Sequence, residues 1–490
     1  MRPGLNGSTL RDRYSEIGRT FLSSYGMAVV LLLLCVYYSW ATLKVQQPQG
    51  DAAAQTVVAQ IAGAAPKGSA VLIVGSVSDE DEHFATGAAQ RLQSGGYQVV
   101  GTVLGDPVMV RQALLDAQKK GTALSAIATT SACASWTVLE DLPNKYPSFP
   151  KAQVYYGKSY RWPLFLQSEN LLNIANQTVV VAVIAVGMTL VIVTGGIDLS
   201  VGSLVALAAV VATLLIRKYG GSGATDATMT WASLAAVGLC AGTGLLSGFT
   251  ITVFRLPPFI ATLGVMQIAS GLAFMLSKGA SIYDVPDTFT QLGRGTGLFG
   301  IPYAVIMMAV IYLAAHFVMT RSKLGRYIYA VGGNSEAARL SGVRVSPVIL
   351  LVYTLSGAMA GLGGVVLASQ LKSGAPTYGV SYELYVIAAV VVGGTSLSGG
   401  QGKVFGTLIG AFIIAVIQNG MNLTGVETYT QRVVLGIVIL GAVLLDMLKH
   451  RDWRWLRPGK KQTDQNKASV TEAASTVTSA DLESKQHILK

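Results

Sequence analysis

The sequence predicts an all-α polytopic membrane protein of about ten transmembrane helices, with a small α/β domain of parallel sheet inserted after the first helix. Three observations predict it. Of the 490 residues 51% are apolar and 12% charged, against about one quarter charged in a typical globular chain, and the mean hydropathy is +0.50. Apolar runs of the roughly 17–25 residues that cross a bilayer recur through the second half. Between residues 44 and 162 the composition turns to that of a soluble domain.

The first element is the run 27–43, MAVVLLLLCVYYSWATL, preceded in the segment 1–26 by Arg11, Arg13 and Arg19. A signal peptide ends in a small-residue cleavage site, whereas this run ends in Tyr37, Tyr38 and Trp40, which suit a membrane interface. A retained anchor is expected. The stretch 44–162 is read as a linker rich in Ala and Gln (45–66) followed by strand 70–77, helix 82–96, strand 97–105, helix 108–121 and strand 124–130. That alternation implies a small parallel α/β sheet. Its order resembles one lobe of the type I sugar-binding periplasmic proteins, and fits a generic doubly wound domain equally well.

From 163 to 449 nine further spans are placed at 173–194, 199–216, 231–254, 258–277, 302–320, 347–370, 382–398, 403–421 and 432–448. Ten spans put both termini on one side. The segment 321–346 carries Arg321, Lys323, Arg326, Arg339 and Arg344 against Glu336, and 449–461 carries six basic residues against Asp452. By the positive-inside rule both termini are expected in the cytoplasm and the insert 44–162 outside. The part 450–490 reads as a basic and then disordered cytoplasmic tail, with Trp453 and Trp455 as an interface anchor.

Composition also excludes. Cys35, Cys133 and Cys240 are far apart, with no CxxC pair and only four histidines, so no metal site or disulfide scaffold is expected. The net charge of +11 comes from basic residues beside apolar spans rather than a basic face interleaved with aromatics, so nucleic acid is not an expected partner. His316, alone in its span, reads as helix packing.

One internal repeat stands out: GGIDLSVG at 195–202 and GGTSLSGG at 393–400 share five of eight residues, each closing one apolar span and opening another. The pattern suggests two related halves joined by helix junctions at Gly195, Gly196, Asp198, Ser200 and at Gly393, Gly394, Ser396, Ser398, where Ser396 or Ser398 is expected to cap the next span. Asp198 is an intramembrane carboxylate and so a candidate for the solute path, but its alignment with Ser396 favours a helix cap. Glu383 is placed to bind solute hydroxyls, to seat a partner, or to sit favourably at a helix N-terminus. Asn176, Gln177, Gln418, Asn419 and Asn422 offer amides that both donate and accept hydrogen bonds, for a solute or for a neighbouring helix. In 332–342, Asn334 or Ser335 is a candidate N-cap and Gly342 a stop, giving a short cytoplasmic helix.

The stretches VAVIAVGMTLVIVTGGIDLSVGSLVAL (181–207), FIATLG (259–264), LGRYIYAVGGNSEAARLSGVRV (324–345) and YELYVIAAVVVGGTSLSGGQGKVFGTLIGA (382–411) resemble the membrane permeases of ribose, xylose and galactose ABC importers. The likeness runs from about Asn170 to His450. It implies a type II importer permease in the bacterial inner membrane, paired with a second permease subunit as homo- or heterodimer. The partners implied are an ATPase of two fused cassettes, which binds the ATP and Mg, and a periplasmic sugar-binding protein. It implies that Asn334, Ser335, Glu336, Ala337, Arg339, Leu340 and Gly342 form the coupling helix on the ATPase, and that Asn176, Gln177, Asp198, Glu383, Asn419 and Asn422 lie along the path of a ribose-like monosaccharide. The chain itself is expected to be no enzyme and to bind no cofactor. The peptide LSGGQ at 397–401 is the signature of ABC ATPases, but the sequence holds no GxxxxGK[ST] phosphate loop, so here it reads as a helix junction. An ion-driven secondary transporter is the rival from another class.

Overall fold

A computed structural model describes residues 10–297 and 300–450. The expected tail and the Trp453 and Trp455 anchor lie outside them, as do residues 1–9. Among the described residues the chain divides into two compact units: one runs to Gln177 and takes in Ala415–Glu427, and the other holds Thr178–Ile414 and the residues from Thr428.

In the first unit, helix α1 (Leu10–Ala41) ends two residues earlier than the expected span, because Thr42 turns the chain. The Thr42 hydroxyl donates to Tyr38 O at 2.7 Å and accepts from Phe165 N at 3.1 Å. Strand β1 (Leu43–Gln46) then pairs antiparallel with a strand over Tyr160–Pro163, so the intervening residues leave and return through one two-stranded base. The expected linker is the next correction: Gly50–Ala64 is helix α2, not connector. Its Ala53, Ala54, Val57 and Ile61 are buried, the i, i+1, i+4, i+8 spacing of one apolar helix face.

Beyond it come β2 (Ala70–Gly75), α3 (Asp79–Ser94), β3 (Gln98–Leu104), α4 (Pro107–Lys119), β4 (Leu124–Thr129), β5 (Gln153–Tyr155) and β6 (Tyr160–Pro163). The sheet has the order β3-β2-β4-β5 and all its pairs are parallel. Alternate residues of a strand face opposite sides, and here Val71 and Ile73 meet Val57, Ile61, Phe84 and Leu92, while Leu72 and Val74 meet Val110, Leu114 and Phe149. A sheet covered on both faces explains why β2 is apolar at every position. Ser78 and Asp106 cap α3 and α4 by accepting from Asp81 N and Met109 N, each cap contributing about 1 kcal/mol. Asp51 and Arg91 pair α2 with α3.

The second unit is helical. Among the described residues seven helices have the length and apolarity to cross a membrane: α5 (Ser168–Val193), α6 (Val201–Lys218), α7 (Asp226–Val253), α8 (Pro258–Ser277), α9 (Tyr303–Arg321), α12 (Val345–Leu371) and α14 (Val404–Leu423). Short helices α10 (Lys323–Gly333) and α11 (Ser335–Leu340) link α9 to α12. Three shorter apolar helical stretches accompany the seven: Gly26–Ala41, α13 (Tyr382–Val392), and Thr428–Gly441 within α15 (Thr428–His450). The expected span 382–398 is thus corrected to 11 residues; the chain breaks at Gly393 because Gly394 turns it with φ +88°. The small-residue runs of α7 and α12 meet closely, a Cβ on Gly357 falling 3.1 Å from Gly244 Cα, as packing in lipid favours. His316 stacks against Phe405 at 4.7 Å between ring centres.

The insert makes one chemical prediction. Burial pushes the Cys133 thiol up from its ordinary range, and the nearby Asp81 carboxylate adds to this; the thiolate is the nucleophile. In the folded protein at pH 8, Cys133 is expected to escape iodoacetamide, and in denaturant to react fully, as read by peptide mass spectrometry; rapid labelling of the folded chain contradicts the packing of this face.

Candidate functional site

The two copies of the repeat are two breaks in helices. After α5, Gly195 takes φ +79° and Gly196 N donates to Val191 O at 3.0 Å; after α13, Gly394 takes φ +88° and Thr395 N donates to Val390 O at 3.1 Å. Each is a left-handed glycine stop that satisfies carbonyls left over at a helix end. The following turn is also shared: Ser200 N donates to Asp198 Oδ1 at 3.0 Å and Ser398 N to Ser396 Oγ at 3.3 Å.

The cap assignments need correction. Ser200 occupies the N-cap position of α6 but its side chain caps nothing, because its hydroxyl is spent on Asp198 Oδ1 at 2.6 Å. Asp198 does not cap α6 either. It is fully buried, and its second oxygen accepts from Ser356 Oγ of α12 at 2.8 Å. Ser396 and Ser398 cannot cap the next helix, since α14 starts only at Val404.

The first break is held from two neighbours. Thr262 of α8 accepts from Leu199 N at 3.1 Å and shares its one hydroxyl proton between Pro258 O at 3.0 Å and Ile197 O at 3.3 Å, while Ser356 holds Asp198. The second break is tied to the first: Gly400 N donates to Val193 O at 2.8 Å. Gly332, at the end of α10, completes the joint. A Cβ there would run into Val193 O and Gly400 N, so only glycine fits. Tyr329, one turn earlier, donates to Gly402 O at 2.7 Å.

Directly after this joint comes α11. Asn334 is its N-cap, accepting from Ala337 N at 2.9 Å, and Gly342 at φ +85° stops it. Ala338 alone of its residues is buried; Ser335, Glu336, Ala337, Arg339 and Leu340 are exposed, Leu340 by 78%. Arg339 Nε donates to Glu336 Oε2 at 3.1 Å, and the hydrogen bond and charge of that guanidinium hold the Glu336 carboxyl below the ordinary carboxylate range. The segment therefore presents a fixed ion pair beside an apolar tip.

The remaining predicted residues are divided between the two units. Asp198 and Glu383 belong to the second unit, and Asn176, Gln177, Asn419 and Asn422 to the first. Asn419 Nδ2 donates to Asn170 Oδ1 at 2.8 Å and Asn170 Nδ2 returns a bond to Asn419 Oδ1 at 3.1 Å, a reciprocal amide pair that joins two helices. Glu383 opens α13 with its carboxylate against Gly202 of α6. Sequence reasoning missed Thr262, Ser356, Tyr329 and Gly332, each an ordinary residue in an apolar helix whose role depends on which helix lies opposite.

Comparison with known proteins follows this geometry. The family model described as the branched-chain amino acid transport system / permease component matches residues 170–443. The ribose import permease protein of Escherichia coli (strain K12) is 44% identical over 291 residues, covering 59% of this chain and 88% of that protein. The ribose import permease protein of Bacillus subtilis (strain 168) is 44% identical over 290 residues, 59% and 87% of the two chains. The D-allose transport system permease protein of Escherichia coli (strain K12) is 39% identical over 284 residues, 58% and 85%. No solved structure gives a significant match.

The bond from Ser356 to Asp198 is buried, and removing one partner of such a bond costs about 1–3 kcal/mol. Ser356→Ala is expected to lower stability by about that amount in detergent thermal unfolding, with Ser356→Thr closer to wild type; an unchanged Tm for Ser356→Ala would show that α12 does not hold the break.

Proposed function

The chain belongs to the branched-chain amino acid transport system / permease component family and is a sugar-translocating permease subunit of an ABC importer; from that premise we propose that its cargo is one ribose-like monosaccharide at a time. ATP, with Mg, is hydrolysed by a separate subunit. The relatives' ribose and D-allose import supports this reading. The ion-driven rival asks for an intramembrane acid free to load and release a cation; Asp198 is committed to three hydrogen bonds, which leaves Glu383 as the acid that rival would use.

The finer architecture is part of the proposal. The seven long apolar helices and three shorter ones serve as ten membrane segments, with both termini cytoplasmic and the α/β insert periplasmic. The subunit pairs with a second permease chain, homologous or identical, and works with an ATPase of fused cassettes and a periplasmic sugar-binding protein. Residues Asn334–Gly342 are the contact with the ATPase, carried by one observation: a capped helix with almost every side chain exposed, set immediately beside the joint that ties both helix breaks together. Asn176, Gln177 and Asn422 stay assigned to the sugar path; Asp198 and Asn419 serve mainly to hold helices.

The mechanism follows from the placement. ATP binding moves the groove that grips α11, and α10 carries that movement to Val193 and Gly400, where α5 and the loop after α13 meet. Discontinuous helices of this kind are where transporters bind and release solute. No covalent step is required of this chain.

A charge swap tests the contact. Glu336→Lys with Arg339→Glu keeps an i, i+3 ion pair on α11 but reverses the charges a partner meets. The ATPase is expected to co-purify with the wild-type chain and to be lost at least about ten-fold from the swapped one, by quantitative mass spectrometry; equal recovery would overturn the contact assignment.

A further inference from the structure

Resting on the sugar-permease reading, we propose that a cavity of about 180 Å³ between the starts of α6 and α13 and the middle of α8 holds the monosaccharide in transit. Its polar lining comes from Ser203 of α6, Gln267 and Ser270 of α8, Tyr378, Ser381 and Glu383. All lie in one compact unit. The volume is below the roughly 300–1,000 Å³ of pockets for drug-sized ligands, which suits a single small solute.

The backbone is bent to build this cavity. The chain from α12 to α13 doubles back along α6, so that a Cβ on Gly374 would strike Ala209 O and one on Gly379 would strike Gly202 O. Gly379 and Ser381 both take the left-handed region, at φ +70° and +68°. For Ser381 that conformation costs energy, and strain of this kind gathers at functional sites. Its effect is to bring the N-terminal ends of α6 and α13 to one place, where Glu383 lies against Gly202.

Chemistry decides the class of occupant. Among the described residues no other side chain bonds or pairs with the Glu383 carboxylate, which therefore has acceptor capacity for a ligand. A sugar offers hydroxyls that donate and accept, and the cavity answers with an acceptor-only carboxylate, an amide and four hydroxyls, that of Tyr378 shared with Ser373. No lysine or arginine lines it. The negative charge that helix N-termini favour is already supplied by Glu383, so a carboxylate or phosphate on the solute is repelled. An amino acid, the cargo in the family's general description, fits these walls less well than a neutral polyol.

The test uses the complete importer, permease with its ATPase and binding protein, in proteoliposomes containing ATP, with radiolabelled D-ribose as probe. Glu383→Gln keeps the shape and removes the charge; Gln267→Ala sits at an exposed position and serves if the first variant does not assemble. Uptake at subsaturating ribose is expected to fall about ten-fold in Glu383→Gln, the worth of a hydrogen bond to a charged group, and several-fold in Gln267→Ala, while ATP hydrolysis stays within two-fold of wild type. Wild-type uptake with both variants unchanged would overturn the cavity assignment and leave the transport reading standing. A wild-type importer that takes up no sugar under ATP would overturn the transport reading, and this site with it.

Discussion

The structure depends on one constraint: a polypeptide in a bilayer has no water to satisfy its backbone, so every N–H and C=O released where a helix breaks must find a partner inside the protein. This chain breaks two helices, after Val193 and after Val392. Each break repays its loose groups with a glycine stop, a side chain that folds back on the turn, and bonds borrowed from neighbours. Thr262 serves Leu199 and Ile197, Tyr329 serves Gly402, and the breaks serve each other through Gly400 N and Val193 O. A residue larger than glycine at 332 would force that last bond apart.

This economy also explains where the polar residues of an apolar bundle sit. Asp198 folds its own turn and fastens it to α12. Glu383, at the edge of a cavity, has no side-chain partner among the described residues. The two acids look alike along the chain and differ in their hydrogen-bond partners. The same joint links the surface to the interior, because α10 runs from the packed Gly332 to the exposed α11 within two residues.

Much of this was legible in the residues. Long apolar runs located the seven spanning helices to within a few residues, and the repeat located both breaks, because left-handed stops demand glycine. Asn334 and Gly342 announced α11 by cap and stop chemistry. What failed was local reasoning about tertiary partners. The Ala- and Gln-rich stretch 45–66 looked like linker because alanine gives little apolar signal, yet Ala53 and Ala54 are buried against a sheet that only the fold supplies. Caps were assigned to Asp198, Ser396 and Ser398 on residue type, when Ser200 and the turn itself claimed those atoms first. Thr262, Ser356 and Gln267 carry no mark in sequence, since helical spacing does not say which face meets a break or a cavity.

The most direct test of the central claim is peptide-resolved hydrogen exchange across 393–403 and 194–200, in wild type and in Gly332→Val, with the protein in lipid nanodiscs. A packed joint predicts slow exchange of both segments in wild type and fast exchange of both when valine pushes Gly400 from Val193. Fast exchange of 393–403 in the wild-type chain, as in any solvated loop, would contradict it.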